Sequence, residues 1–185
     1  MSHEFSSSHG LNPSQDAELR EQEASKREAT ELINALKGKE GKKAFFLVLD
    51  DDPFKLDSMK EFIASSAEAR NTGCVISLKK DGESAIRLYR AFREQEEPER
   101  RNKVVAVLDG SLSAFDRYES GKEVAQQLIE ISTENGWEVP YLVGISGESQ
   151  FNRELQQTYP DHYVSSFYGN SEKEFAAIDA KLQFR

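Results

Sequence analysis

The chain of 185 residues is predicted to form an α/β domain, a doubly wound sheet of five parallel strands with helices on both faces, preceded by a helical extension. Three observations predict it. Five short apolar runs lie at 44–49 (AFFLVL), 75–78 (VISL), 104–108 (VVAVL), 141–145 (YLVGI) and 162–164 (HYV). Runs so continuous suit strands covered on both faces. Helical patterns at 53–69, 82–95, 121–135, 149–158 and 171–182 alternate with them, and acidic residues stand at the ends of the first and third runs.

Residues 1 to about 15 are rich in Ser, His and Gly, have little to bury and are expected to be disordered. Ser14 to Lys37 is charged and helix-favouring, with an apolar patch of Leu32, Ile33 and Leu36 near its end. That pattern predicts a solvated helix docking its last turns on the body, with a coiled-coil dimer arm as the competing arrangement. The stretch "GKEGKK", 38–43, reads as a linker, so the predicted domain runs from 44 to 185. After the first run, Asp52-Pro53 offers an N-cap followed by Pro in the first turn, and Ser171 with Glu174 has the capping-box spacing for the last helix. Ala85, Ile86, Tyr89 and Phe92 share a helix face, as do Phe175, Ile178 and Leu182, and both sets are assigned to the core. Five βα units in succession imply right-handed crossovers.

With 33 acidic against 24 basic side chains the net charge is -9, which disfavours nucleic acid and anionic membrane as partners and favours cations and basic protein surfaces. The single cysteine, Cys74, excludes an internal disulfide framework, and no Cys/His cluster has zinc spacing. The polar start and the lack of a long apolar run predict a soluble, cytoplasmic protein.

Ligands of open α/β sheets bind beyond the carboxyl ends of the strands. There the first strand carries Asp50 and Asp51, the third Asp109 and the fourth Ser146. In the flavodoxin-like strand order 2-1-3-4-5 the first and third strands are neighbours, and their acids face one crevice. Two such charges ~4 Å apart repel by roughly 4 kcal/mol at an effective dielectric near 20. A bound cation removes that cost, and carboxylates without soft ligands suit Mg²⁺ or Mn²⁺. Asp109, followed by the small Gly110 and Ser111, is placed as a nucleophile toward phosphorus, with Ser146 as a hydrogen-bond donor to a phosphoryl oxygen.

The pieces "FLVLDDDP", "KKDGESAIRLYR", "VVAVLDGSL", "SGKEV" and "VGISG" together resemble the receiver domain of response regulators of two-component signalling, over about residues 44–182. The resemblance implies an acidic pair of Asp50 and Asp51, with Asp51 a direct Mg²⁺ ligand. It implies a phosphoryl group accepted on Asp109, a metal contact from the Ser111 carbonyl, and switch residues at Ser146 and Tyr163. It further implies a signalling module rather than an enzyme. The phosphoryl donor would be a sensor histidine kinase or a phosphotransfer protein, and the output would pass through contacts with a downstream protein target.

Two departures stand out. The segment "DGSLSAFDRYESG" is longer than usual in the family and lacks its Met-Pro, and "DHYVSSFYG" places Ser166 and Phe167 where the family has Lys-Pro. The missing cation leaves three arrangements open: phosphorylation on Mg²⁺ alone with weak switching, Lys173 reaching the site from the last helix, or a non-switching interaction module. A fourth reading is a phosphatase of the haloacid-dehalogenase type, in which Asp50 is the nucleophile and Asp52 the acid/base, although that family's Gly-Thr is here Pro53-Phe54.

Overall fold

The structure is a computed structural model that describes residues 13–98, 101–112, 118, 120–145, 147, 149–167 and 172–182. Eleven elements follow one another: α1 (Pro13–Lys37), β1 (Lys42–Leu49), α2 (Pro53–Ala69), β2 (Thr72–Lys79), α3 (Gly82–Gln95), β3 (Lys103–Leu108), α4 (Gly121–Glu134), β4 (Tyr141–Gly144), α5 (Ser149–Thr158), β5 (Tyr163–Ser166) and α6 (Glu172–Lys181). All five strands are parallel, in the order β2-β1-β3-β4-β5. This is the flavodoxin-like arrangement expected from the sequence.

The unbroken apolar runs follow from burial on both faces. Along β1, Phe45, Leu47 and Leu49 point into one core with α1, α3, α4 and α5, while Ala44, Phe46 and Val48 point into a second core with α2 and α6. Alternate residues of a strand face opposite sides, so covering both faces leaves no position for a polar residue. Ala85, Ile86, Tyr89 and Phe92 are buried in the first core, and Phe175, Ile178 and Leu182 in the second.

Three strand boundaries differ from the sequence reading by two residues or more. Strand β1 begins at Lys42, inside the expected linker, because Lys42 and Lys43 pair with Thr72 and Gly73 while their ammonium groups reach Asp179 (3.2 Å) and the Lys37 carbonyl (3.3 Å). A lysine at a strand's open end can pair its backbone and keep its charge at the rim. For the same reason β2 begins at Thr72, and β5 extends through the hydroxyl residues Ser165 and Ser166. The capping-box serine, Ser171, lies outside the described residues, as do residues 1–12.

Helix α1 is docked over much more than its last turns. Ala29, Ile33 and Leu36 are buried, and polar contacts run along the rest: Glu21 with Arg87 (2.9 Å), Glu28 with Lys79 (2.6 Å) and Ser77 (2.5 Å), and Thr30 with Gln95 (2.6 Å). Its apolar face is covered within the chain, against α3 and β2, and the docked arrangement holds rather than a free arm.

A buried cation ties the opposite end of the sheet. Arg93 in the last turn of α3 is 1% exposed, pairs with Glu96 (2.8 Å), donates to the carbonyls of Asn102 and Glu138 (2.9 Å each), and stacks over Tyr89. Those carbonyls lie in the segments entering β3 and β4, so the guanidinium fixes where both strands begin.

Candidate functional site

Strand register brings the acids together. Leu49 pairs with Leu108, and Leu108 with Gly144, so the three central strands end level. The ladder runs one residue further: Asp109 N donates to the Leu49 carbonyl (3.0 Å) and Ile145 N to the Leu108 carbonyl (3.0 Å). Asp50 and Asp109 thus emerge side by side. Together with Asp51 they present carboxylate oxygens within 4.8 Å of one another; Asp50 and Asp109 are buried and Asp51 is exposed.

Each acid of the run 50–52 has a different task. Asp50 Oδ1 accepts the Asp52 N–H (2.8 Å), while its buried Oδ2 has no hydrogen-bond partner among the described residues. Asp52 has extended dihedrals and accepts the Phe54 N–H (2.9 Å), which makes it the N-cap of α2 ahead of Pro53. Capping uses the Asp52 carboxylate locally. Asp51, lying between them, projects outward.

Asp109 is held from two sides. Its Oδ2 accepts the Ser111 N–H (3.3 Å), and its carbonyl accepts the Gly121 N–H (3.1 Å) at the start of α4. A Cβ at residue 121 would sit 2.1 Å from that carbonyl oxygen, so only glycine lets the helix approach so closely.

The residue that sequence reasoning missed is Lys55. Its ammonium lies 3.5 Å from Asp50 Oδ2 and 4.0 Å from Asp109 Oδ1. Burial and the Asp109 charge push the Asp50 carboxyl above the usual carboxylate range, against the opposing Asp52 N–H and Lys55 ammonium. For Lys55, partial burial works downward, but the charges of Asp109 and Asp50 outweigh it and raise its pKa. A signal for this residue exists in the sequence. Lys55 stands in the first turn of a helix, where the macrodipole disfavours a cation, and that turn contains no acid of its own.

The other expected site residues fall as follows. Ser111 is exposed beside Asp109, with its backbone at the site. Ser146 lies outside the described residues, directly after Ile145, whose N–H joins the end of β3. Tyr163 is half-buried at the start of β5, opposite Leu142, and is therefore not among the acids at the strand ends. Ser166 ends β5 opposite Gly144, and Phe167 behind it is buried in the second core. Among the described residues, the cation near the acids is Lys55 of α2, and no ion pair joins them to Lys173 in the first turn of α6.

No family model matches the chain, and no curated protein matches it. Solved structures do. The bacteriophytochrome response regulator RtBRR superposes with a TM-score of 0.53 at 21% identity, covering 76% of this chain and 78% of that one. A CheY-like response regulator receiver domain protein from Methanospirillum hungatei JF-1 gives 0.50 at 16% identity over 75% of this chain and 93% of its own. A sensor protein from Polaromonas sp. JS666 gives 0.51 at 13% identity over 75% and 95%. The chain has the fold of response-regulator receiver domains, extended at its N-terminal side by α1.

Proposed function

We propose that the chain is a receiver module of two-component signalling that accepts a phosphoryl group on Asp109. The observation that carries this reading is the convergence of Asp50, Asp51 and Asp109 at the level ends of β1 and β3, on the fold of receiver domains.

The donor set fits a hard divalent cation. Three carboxylates suit Mg²⁺, one of them with a buried oxygen that among the described residues is faced only by the Lys55 ammonium at 3.5 Å, and no sulfur or imidazole belongs to the cluster. Asp51, Asp109 and the Ser111 carbonyl would hold the ion, with Asp50 beside it. When bound, it offsets the charge of the incoming phosphoryl group. An Asp109 carboxylate oxygen forms a bond to phosphorus as the donor's own bond to phosphorus breaks, and the donor leaves with that electron pair. The Ser111 N–H keeps the carboxylate oriented, and Gly121 fixes its backbone. Ser146, from the end of β4, would donate to a phosphoryl oxygen, and Tyr163 would follow it. The donor protein is a sensor histidine kinase or a phosphotransfer protein, and the output runs through contact with a downstream protein. The phosphatase reading loses support because the carboxylate of Asp52, its acid/base, is engaged at the cap of α2.

The test is incubation with acetyl phosphate and Mg²⁺, followed by intact mass. Wild type should gain one acid-stable, base-labile phosphoryl group and Asp109→Asn none. Labelling that persists in Asp109→Asn would move the nucleophile elsewhere and overturn the proposal.

A further inference from the structure

We propose that Lys55 is the phosphoryl-binding cation of this site, delivered by the first turn of α2; the inference rests on the receiver reading of Asp109. At rest the ammonium bridges Asp50 Oδ2 and Asp109 Oδ1, and these are the ion pairs to the two acids among the described residues. The two oxygens of Asp109 are distinguished by their partners: Oδ2 is held by the Ser111 N–H, and Oδ1 faces Lys55. A phosphoryl group built on Oδ1 grows toward that ammonium.

Three further observations support the assignment. The end of β5 provides Ser166 and the buried Phe167, a hydroxyl and a ring, so neither position supplies a cation. The backbone beneath Lys55 is fixed by the Asp52 cap, by Pro53 and by the buried Leu56, while the Lys55 side chain is 53% exposed and can follow a moving charge. A lysine at a helix N-terminus is unfavourable on its own helix. The acids around the crevice compensate for its position. The phosphoryl group brings about -1.5 to -2 charges into a pocket that keeps two carboxylates, and a divalent ion offsets only part of that. Lys55 holds the acids together before metal and phosphoryl arrive, then transfers its contact to a phosphoryl oxygen.

The experiment compares wild type, Lys55→Met, Lys55→Arg and Asp109→Asn. The readouts are Mg²⁺ affinity without donor, by calorimetry, and the labelling rate by acetyl phosphate at saturating Mg²⁺. In Lys55→Met, labelling should slow about tenfold or more, the loss of one hydrogen bond to an ionised group, and Lys55→Arg should recover most of it. Mg²⁺ affinity in Lys55→Met should rise about two- to fivefold, because a half-exposed competing charge has gone. A purely structural role for Lys55 would weaken both together, and that outcome overturns the assignment. Equal labelling of wild type and Lys55→Met, both dependent on Asp109, leaves the receiver reading standing and sinks this inference alone. Absence of labelling in wild type sinks both.

Discussion

Asp50 is a buried carboxylate whose Oδ1 is satisfied by the Asp52 N–H and whose Oδ2, among the described residues, has only the ammonium of Lys55 for company. Burial raises its pKa above the ordinary value of 3.8, and the charge of Asp109 raises it further. A carboxyl group with a raised folded-state pKa contributes stability below the unfolded value and loses it as pH rises through the folded one. The metal-free protein therefore carries a cost at neutral pH. Asp50→Asn keeps the acceptor for the Asp52 N–H and removes the charge. In chelator at pH 8 its Tm should exceed wild type by roughly 2–4 °C, the shift from about 1 kcal/mol in a chain of this size. The advantage should shrink as pH falls toward about 4, and a variant less stable than wild type at pH 8 would refute the account. These acids were legible in the sequence because each directly follows an apolar run, and Asp52 because Pro53 marks a helix start. Lys55 was legible only as a cation oddly placed in the first turn of α2, not as the partner of these acids. Nothing local links residue 55 to residue 109, and their approach exists only once β1 and β3 lie side by side.

At the scale of elements, Arg93 shows the same limit. In "RLYRAFREQ" it is a charge at helical spacing from Ile86 and Tyr89, on the face assigned to the core, and it is fully buried against Glu96, Asn102 and Glu138. Its partners belong to the segments entering β3 and β4, which the helical period of α3 cannot reveal. Removing one member of a buried ion pair leaves the other without its counter-charge, at a cost of about 3–5 kcal/mol. Urea unfolding of Arg93→Met should show a loss of that order. Adding Glu96→Gln should recover part of it, since the amide oxygen of the new side chain would still accept the Asn102 N–H that Glu96 Oε1 now takes at 2.7 Å. A double variant no more stable than Arg93→Met would place the cost in lost packing instead. Helix positions were read well from periodicity and caps, because both are local signals. Strand ends were read short at Lys42, Thr72 and Ser166, where polar residues pair their backbones at the rim of the sheet.

For the molecule as a whole, binding at one end of the sheet should stabilise all of it. A cation that binds only the folded state at about 100 times its Kd adds about 2.7 kcal/mol, or on the order of 5–10 °C in Tm. Thermal unfolding of wild type in increasing Mg²⁺ should show that rise, and Asp51→Asn, altered at an exposed position, should lose most of it. Equal stabilisation of the two proteins would remove Asp51 from the ligand set. The strand order was expected from the flavodoxin-like pattern of five βα units and the resemblance to receiver domains, and the acids at the ends of β1 and β3 agree with it without fixing it. The full extent of α1 docking was not legible, since its charged residues find their partners in β2 and α3, far along the chain. Glu28 meets Lys79 across 51 residues and Thr30 meets Gln95 across 65. During synthesis at roughly 5–20 residues per second, α1 must wait about 3–13 s before the last of those partners has been made. Throughout that interval its binding face lies open. Only Ala29, Ile33 and Leu36 form the part that ends fully buried, so the waiting helix exposes a small sticky surface on an otherwise charged rod. A longer apolar stripe would hold the finished fold more tightly, but would leave a nascent chain prone to capture by its neighbours.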